Sequence, residues 1–159
     1  KGPASSPLTR ERMLGFKDAL QTAGLKFCEE LMFDGDFTLQ SGYDAADRIL
    51  SQSHPVSAIF CENDEMALGA ISRLKAAGLR IPEDISVSGF DNIAFAKFSD
   101  PPLTTIAQPA EEFGETAINL LIDVLKGKAK RAVKVILPYQ LIIRNSTGPA
   151  PAQPVNLTR

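Results

Sequence analysis

Two polar pairs stand where apolar runs stop. Asn63-Asp64 closes VSAIFCEND, and Asp91-Asn92 closes ISVSGFDN. A carboxylate or carboxamide at a strand end can hold hydroxyls or amines of a small molecule, because a few polar groups in a mostly apolar pocket fix a ligand's orientation. In open α/β sheets the carboxyl ends of neighbouring parallel strands form the crevice where ligands bind. Arg12 adds a planar fork able to bond two adjacent hydroxyls at once, as on a sugar or a ribose. Phe37, in DGDFT, is an aromatic in a polar loop that could stack on a sugar face or a base.

Each residue has a plainer use. Asn63 or Asp64 could cap the helix that follows, since both types favour that position. A cap explains only one of them, and no clear helix follows Asp91, which leaves ligand contact as its better use. Arg12 could be an exposed helix cation like Arg10 and Lys17, and Phe37 could fold back onto the core. Catalysis finds little support. His54 is the only histidine and precedes Pro55 in a loop, and there is no G-x-S-x-G, Gly-rich phosphate loop or H-E-x-x-H. Asp64 and Asp91 could pair for acid–base work, but nothing near them in sequence completes such a site. Cys28 and Cys61 are the only cysteines, each in an apolar run without a second ligand at metal spacing, so both read as free thiols. No enzyme activity, cofactor or metal is expected. The basic run Lys126, Lys128, Lys130, Arg131 and Lys134 reads as a solvated loop after a helix C-terminus.

The elements that must position these residues alternate. Residues 7 to 23 read as a helix, with Ser6 as N-cap, Pro7 at the first position and Gly24 as terminator. Residues 25 to 33 read as a strand, 41 to 51 as a helix, 56 to 61 as a strand, 64 to 77 as a helix closed by Gly78, and 85 to 90 as a strand. Residues 93 to 109 read as irregular, about 110 to 126 as a helix ended by Gly127, and 133 to 137 and 139 to 144 as short strands. Such alternation predicts a three-layer α/β/α parallel sheet. A doubly wound sheet has a strand before its first turn, so at least one strand is expected upstream of Lys1. The apolar stripe of the 110–126 helix is expected to fold back on the sheet or pack on another copy. With 159 residues, one domain can bury a real core. The net charge of −2 argues against a nucleic-acid or membrane surface on these residues, and no apolar run reaches the roughly 18 residues of a membrane span.

Together the motifs NDEMALGAI, PEDISVSGFDN, PPLTTIAQP and LIIRNST, with the opening GPASSPLTRERMLGF, resemble the lactose-repressor/galactose-repressor family over residues 2 to about 148. The FDN and LIIRNST stretches are most similar to its cytidine-repressor-like members. The resemblance implies a periplasmic-binding-protein-like (type I) fold of two subdomains with an effector between them. Residues 1–106 and 132–147 would form the C-terminal subdomain, 107–131 a crossover and helix of the N-terminal one, and 148–159 a disordered tail. It implies ligand contacts from Arg12, Asp91, Asn63, Phe37 and Ser6, and a dimer interface near Leu68. Ala110 stands where some sugar-binding relatives carry a Phe. The implied partners are a small-molecule effector (a nucleoside or a sugar), operator DNA through an upstream helix-turn-helix, and a second copy in a homodimer. A cytoplasmic regulator is expected. A periplasmic sugar-binding protein of a transporter shares the fold, but the free cysteines and the LIIRNST ending lean away from it.

Overall fold

The computed structural model describes residues 1–128 and 134–152. Among these residues the chain runs α1 (Pro7–Thr22), α2 (Leu39–Leu50), β1 (Ala58–Phe60), α3 (Asp64–Ala76), β2 (Ser86–Ser88), β3 (Thr105–Ala107), α4 (Ala110–Leu125) and β4 (Gln140–Ile142). Short 3₁₀ turns occupy Glu29–Leu31 and Ala94–Lys97. α1 starts at Pro7 because the proline ring presets a helical φ where no backbone donor is needed. Ser6 stands at the N-cap, but its hydroxyl makes no capping bond. Gly24 and Gly78, at φ 70° and 85°, reverse the chain after α1 and α3. The bonds Leu25 N to Leu20 O and Leu79 N to Leu74 O close both ends in the manner expected of a left-handed glycine.

β1 and β2 are parallel, with Ala58 opposite Ser86 and Phe60 opposite Ser88. The ladder continues across β2: Gly89 N donates to Thr104 O and Asp91 N to Ile106 O, each at 2.9 Å, as parallel bridges. β4 pairs antiparallel with β3, Thr105 opposite Ile142. The parallel set therefore ends in an antiparallel edge, a common arrangement in such sheets. The core lies between the sheet and the α2–α3 pair, with Leu74, Ile85, Val87 and Leu103 fully buried. α1 reaches β1 through Phe16, whose ring stacks on Phe60 at 5.8 Å.

Several expectations need correction. Residues 25 to 33 are not a strand. Cys28 and Met32 are extended, but the Glu29–Leu31 turn interrupts them. A strand needs a bonded neighbour, and among the described residues backbone pairing of this segment is confined to its end, where Lys1 N donates to Phe33 O and Gly35 N to Lys1 O, both at 2.7 Å. Conversely, 93 to 109 is not wholly irregular, since it holds β3. Pro101, Pro102 and Pro109 read as breakers, yet all three lie outside the three-residue ladder and cost it no bond. Residues 134 to 137 form no strand, and residue 133 lies outside the described residues. Lys130 and Arg131 of the basic run lie outside them too, as do residues 153 to 159 of the expected tail. Residues 148 to 152 lack regular structure, although Gly148 N is tied to Ser86 Oγ at 3.1 Å. α4 does not fold back on the sheet: none of its residues is buried, and Phe113 and Leu125 are 66 % and 76 % exposed.

α2 and α3 approach so closely that glycine is required at the crossing. A Cβ on Gly69 would lie 1.9 Å from Leu39 O, and one on Gly42 2.0 Å from Met66 O. Both obstacles are backbone, so the helices would have to separate. Gly69→Ala is expected to lower stability by at least about 1–3 kcal/mol in urea unfolding. Gly15→Ala, inside α1 with open space around it, should instead gain about 0.5–1 kcal/mol. Similar effects at the two positions would contradict the close crossing.

Candidate functional site: a crevice at the strand ends

The chain leaves β2 through a strained turn. Asp91 sits at φ 111° and Asn92 at φ 54°, conformations that non-glycine residues rarely adopt. Such strain persists only where the surroundings over-determine it, and it clusters at functional sites. Here the fastenings are visible. Asp91 N bonds Ile106 O, and Asn92 Oδ1 accepts from Arg144 Nη2 at 2.7 Å. Ile93 N donates to Asp64 Oδ2 at 2.9 Å. Arg144 is itself anchored by Nη1 on Leu103 O at 2.7 Å.

Arg12 projects from α1 toward this turn. Its Nη1 donates to Glu62 O, and its guanidinium carbon stands 3.9 Å from the centre of the Phe90 ring. Its Nη2 is 3.6 Å from Asp91 Oδ1. That separation brings the charges together without a hydrogen bond between them. The Arg12 side chain is 13 % exposed and that of Asp91 32 %. Gln108 Nε2 donates to the same Asp91 oxygen at 2.6 Å. Burial raises the Asp91 carboxyl above its usual range, outweighing the downward pull of Arg12 and of the Gln108 bond. A fork and a carboxylate that face each other across a gap, each with bonding capacity left, suit adjacent hydroxyls of a ligand.

The other expected residues fare differently. Asn63 caps α3, its Oδ1 accepting from Met66 N at 3.0 Å, while its Nδ2 donates to Phe37 O at 2.8 Å. The carboxamide thus positions Phe37 and keeps one N–H and one lone pair for anything else. Phe37 is held at φ 69° and half-buried, its ring against Gly2, where any side chain would lie 2.3 Å from it. The ring thus packs over Gly2 and against the core. Ser6 lies at the start of α1, half-buried. Leu68 is half-buried on α3. Asp64 is not the cap. It is wholly buried and accepts from Thr105 Oγ1 at 2.5 Å as well as from Ile93 N. Burial raises its carboxyl, against the pull of those two bonds.

Sequence reasoning missed Gln108, Phe90, Glu62 and the Asn92–Arg144 pair. Gln108 and Arg144 stood inside motifs already singled out, PPLTTIAQP and LIIRNST, but nothing in their spacing places them beside residues 91 and 92. Beside Asp91 an apolar opening of about 670 Å³ is lined by Ile106, Ala110, Phe113 and Tyr139 among others. A separate cavity of about 220 Å³ lies between α1, residues 26 to 33, β1 and α2. Its lining is mostly apolar, and it holds neither Arg12 nor Asp91, so the strand-end crevice is the better ligand site. Among the described residues no group of three or more His, Cys, Asp or Glu side chains could hold a metal.

Residues 1–147 match the family model of the periplasmic binding protein-like domain. The chain belongs to that family. Within it, the chain stands with the lactose-repressor/galactose-repressor regulators. It is 43% identical over 150 residues to the HTH-type transcriptional repressor CytR of Escherichia coli (strain K12), covering 94% of this chain and 44% of that protein. It is 40% identical over 150 residues to the HTH-type transcriptional repressor PurR of Salmonella arizonae, with the same coverage. Among solved structures, the transcriptional regulator CelR–cellobiose complex superposes with a TM-score of 0.87 at 36% identity, covering 91% of this chain and 44% of that one. The lac repressor dimer bound to operator and the anti-inducer ONPF gives 0.83 at 32% identity, over 92% and 50%. The chain thus spans less than half the length of the curated relatives it matches. These relatives are repressors rather than enzymes or transport receptors. No helix among the described residues is long and apolar enough to cross a membrane.

The site's electrostatics can be measured in two ways. Asp91 is raised in the folded state, so it favours folding most below its unfolded value, about 4, and that benefit is lost as pH rises through the folded value. At pH 7 its charge is a cost in the unliganded protein. Asp91→Asn, which keeps the shape and tolerates positive φ, should be as stable as wild type or more so in urea at pH 7, with the difference shrinking toward pH 4. A loss above about 1 kcal/mol would contradict this. The thiols should also separate: both are free, Cys61 is buried with its thiol pushed up to about 12, and Cys28 is half-buried. Iodoacetamide should modify Cys28 in the native protein and reach Cys61 only on unfolding. Equal native labelling would show that β1 opens readily.

Proposed function

We propose that this chain is the effector-binding core of a bacterial transcriptional repressor. A small polyhydroxylated ligand, a nucleoside or a sugar, binds at the strand-end crevice and controls operator binding by a helix-turn-helix N-terminal to these residues. The observation that carries this reading is the open Arg12–Asp91 pair, 3.6 Å apart at the wall of a crevice, on a turn held at positive φ. In an unliganded protein such a pair is under-used. A vicinal diol would complete it, donating to Asp91 and accepting from Arg12. Ring stacking by Phe37 and a further contact from Ser6 would complete the near wall, while the Asn63 carboxamide serves chiefly to hold Phe37 in place.

The regulator reading has support from the relatives, which are repressors by name, and from the solved complexes of similar fold, one with cellobiose and one with operator and anti-inducer. In this reading α4 and the segment around it belong to the N-terminal subdomain, which would cover its exposed apolar residues. A segment before Lys1 would lie between β1 and residues 26 to 33 and turn the latter into a strand. The chain works in the cytoplasm as a homodimer, with the α3 face near Leu68 in the interface. Ligand favours one hinge state, and the coupling to DNA binding is on the order of 1–3 kcal/mol.

Calorimetry on the intact natural protein tests the site. Cytidine, adenosine, ribose and galactose form the panel. Binding of at least one is expected, with Arg12→Ala and Asp91→Asn each losing it by tenfold or more while operator affinity without ligand stays within about threefold. Unchanged effector affinity in both variants would overturn the assignment. Heat from none of the four would count against the ligand class.

A further inference from the structure

Two side chains grip the Asp91-Asn92 turn, each from a junction that carries the chain out to α4 or back. Gln108 follows β3 directly and stands two residues before α4, and Arg144 stands two residues after β4. Their holds differ in kind. Arg144 is built into the sheet. Besides its bond to Asn92, its Nη1 donates to Leu103 O at 2.7 Å and its backbone N to Thr104 Oγ1 at 2.9 Å. Gln108 is exposed, and among the described residues its side chain makes one hydrogen bond, the 2.6 Å bond to Asp91 Oδ1. A donor on a carboxylate at that length makes a close, charge-assisted bond. The bond also pulls the Asp91 carboxyl down against its burial, which is what a ligand hydroxyl would do there. Both ends reach solvent, so opening it strands no buried group. The oxygen that Gln108 holds is the one facing Arg12 Nη2 at 3.6 Å. A ligand that bonds fork and carboxylate together needs that oxygen and the space beside it.

We propose that Gln108 is an autoinhibitory latch. Its amide stands in for a ligand donor on Asp91 Oδ1, and a ligand must displace it to bridge Asp91 and Arg12. The inference rests on the crevice reading above. With the latch shut the pair is not free for ligand, so the apparent affinity is lowered by the fraction of molecules in which the latch is open. The latch also sits where its release has a consequence. None of the residues of α4 is buried, so its attachment to the sheet is through the junctions after β3 and before β4. Displacing Gln108 frees the outgoing junction, while Arg144 keeps the returning one on the turn. Ligand binding thus loosens one of the two attachments of α4 and leaves the positive-φ turn as it is.

The sign of the effect separates a latch from a ligand contact. Gln108→Met keeps the length of the side chain and removes the donor, and Gln108→Ala removes both. Calorimetry on the intact natural protein, with cytidine, adenosine, ribose and galactose as probes, reads the result. Whichever probe binds wild type is expected to bind both variants about three- to tenfold more tightly, the scale of one charge-assisted hydrogen bond that no longer has to be broken. A residue that only supports the fold, or one that touches the ligand, would weaken binding when truncated. Weaker binding in both variants therefore overturns the latch and marks Gln108 as a contact or a support. Unchanged affinity in both overturns it too. If either result comes with a loss of binding in Arg12→Ala, the latch falls alone. Binding indifferent to Arg12→Ala, or heat from none of the four probes, overturns the crevice reading and the latch with it.

Discussion

A buried carboxylate organises the strand-end edge of this fold. Asp64 opens α3 directly after β1, yet its side chain bonds the β3 residue Thr105 and the backbone of Ile93 beyond β2. One side chain therefore links three neighbouring strands. Its ionised form is opposed by burial and retained by those two bonds. Removing one partner of such a buried arrangement strands the others, which is far more damaging than the net worth of the arrangement suggests. Together with the Asp91–Ile106 and Asn92–Arg144 bonds, this tie holds the Asp91-Asn92 turn at positive φ.

The crevice inherits its character from that constraint. Asp91 is aimed by its backbone, through the Ile106 bond on one side and the Asn92–Arg144 bond on the other, rather than drawn in by Arg12. Arg12 is likewise held by Glu62 O and the Phe90 ring. Two opposite charges fixed from behind, 3.6 Å apart and not hydrogen-bonded to each other, are pre-organised for a ligand that bonds both from one side. Burial raises the Asp91 carboxyl even with a guanidinium nearby, so the unliganded protein bears a local cost that ligand contacts would relieve. In the proposed function, stability and ligand binding pull against each other at this residue.

Much of this was legible in the sequence because strong local signals agreed with the tertiary outcome. Pro7 and Gly24 bracket α1, Asn63 opens α3, and the apolar runs at 56–61 and 85–90 carry β1 and β2. Where the reading failed, partners distant in sequence decided. Residues 25 to 33 have strand composition but lack a bonded neighbour among the described residues. β3 has prolines on both sides yet is paired on both edges, by Ile106 with Asp91 and by Thr105 with Ile142. Arg12, Phe37 and Asp91 could be put forward from sequence as candidates because each residue type has a chemistry for polyhydroxylated ligands, and of these the structure brings Arg12 and Asp91 together. Gln108, Glu62 and Arg144 could not, since their roles depend on neighbours 17 to 60 residues away. Asn63 was ambiguous between cap and ligand contact, and its carboxamide oxygen is the cap.

The most direct measurement is a crystal structure of the intact natural protein with the tightest-binding member of the nucleoside and sugar panel. One ligand should lie against Arg12 and Asp91, with a hydroxyl within about 3.2 Å of each. The positive-φ turn at Asp91-Asn92 should be unchanged from the unliganded form. A ligand seated elsewhere, with the Arg12–Asp91 gap still empty, would contradict the pre-organised pair and the function drawn from it.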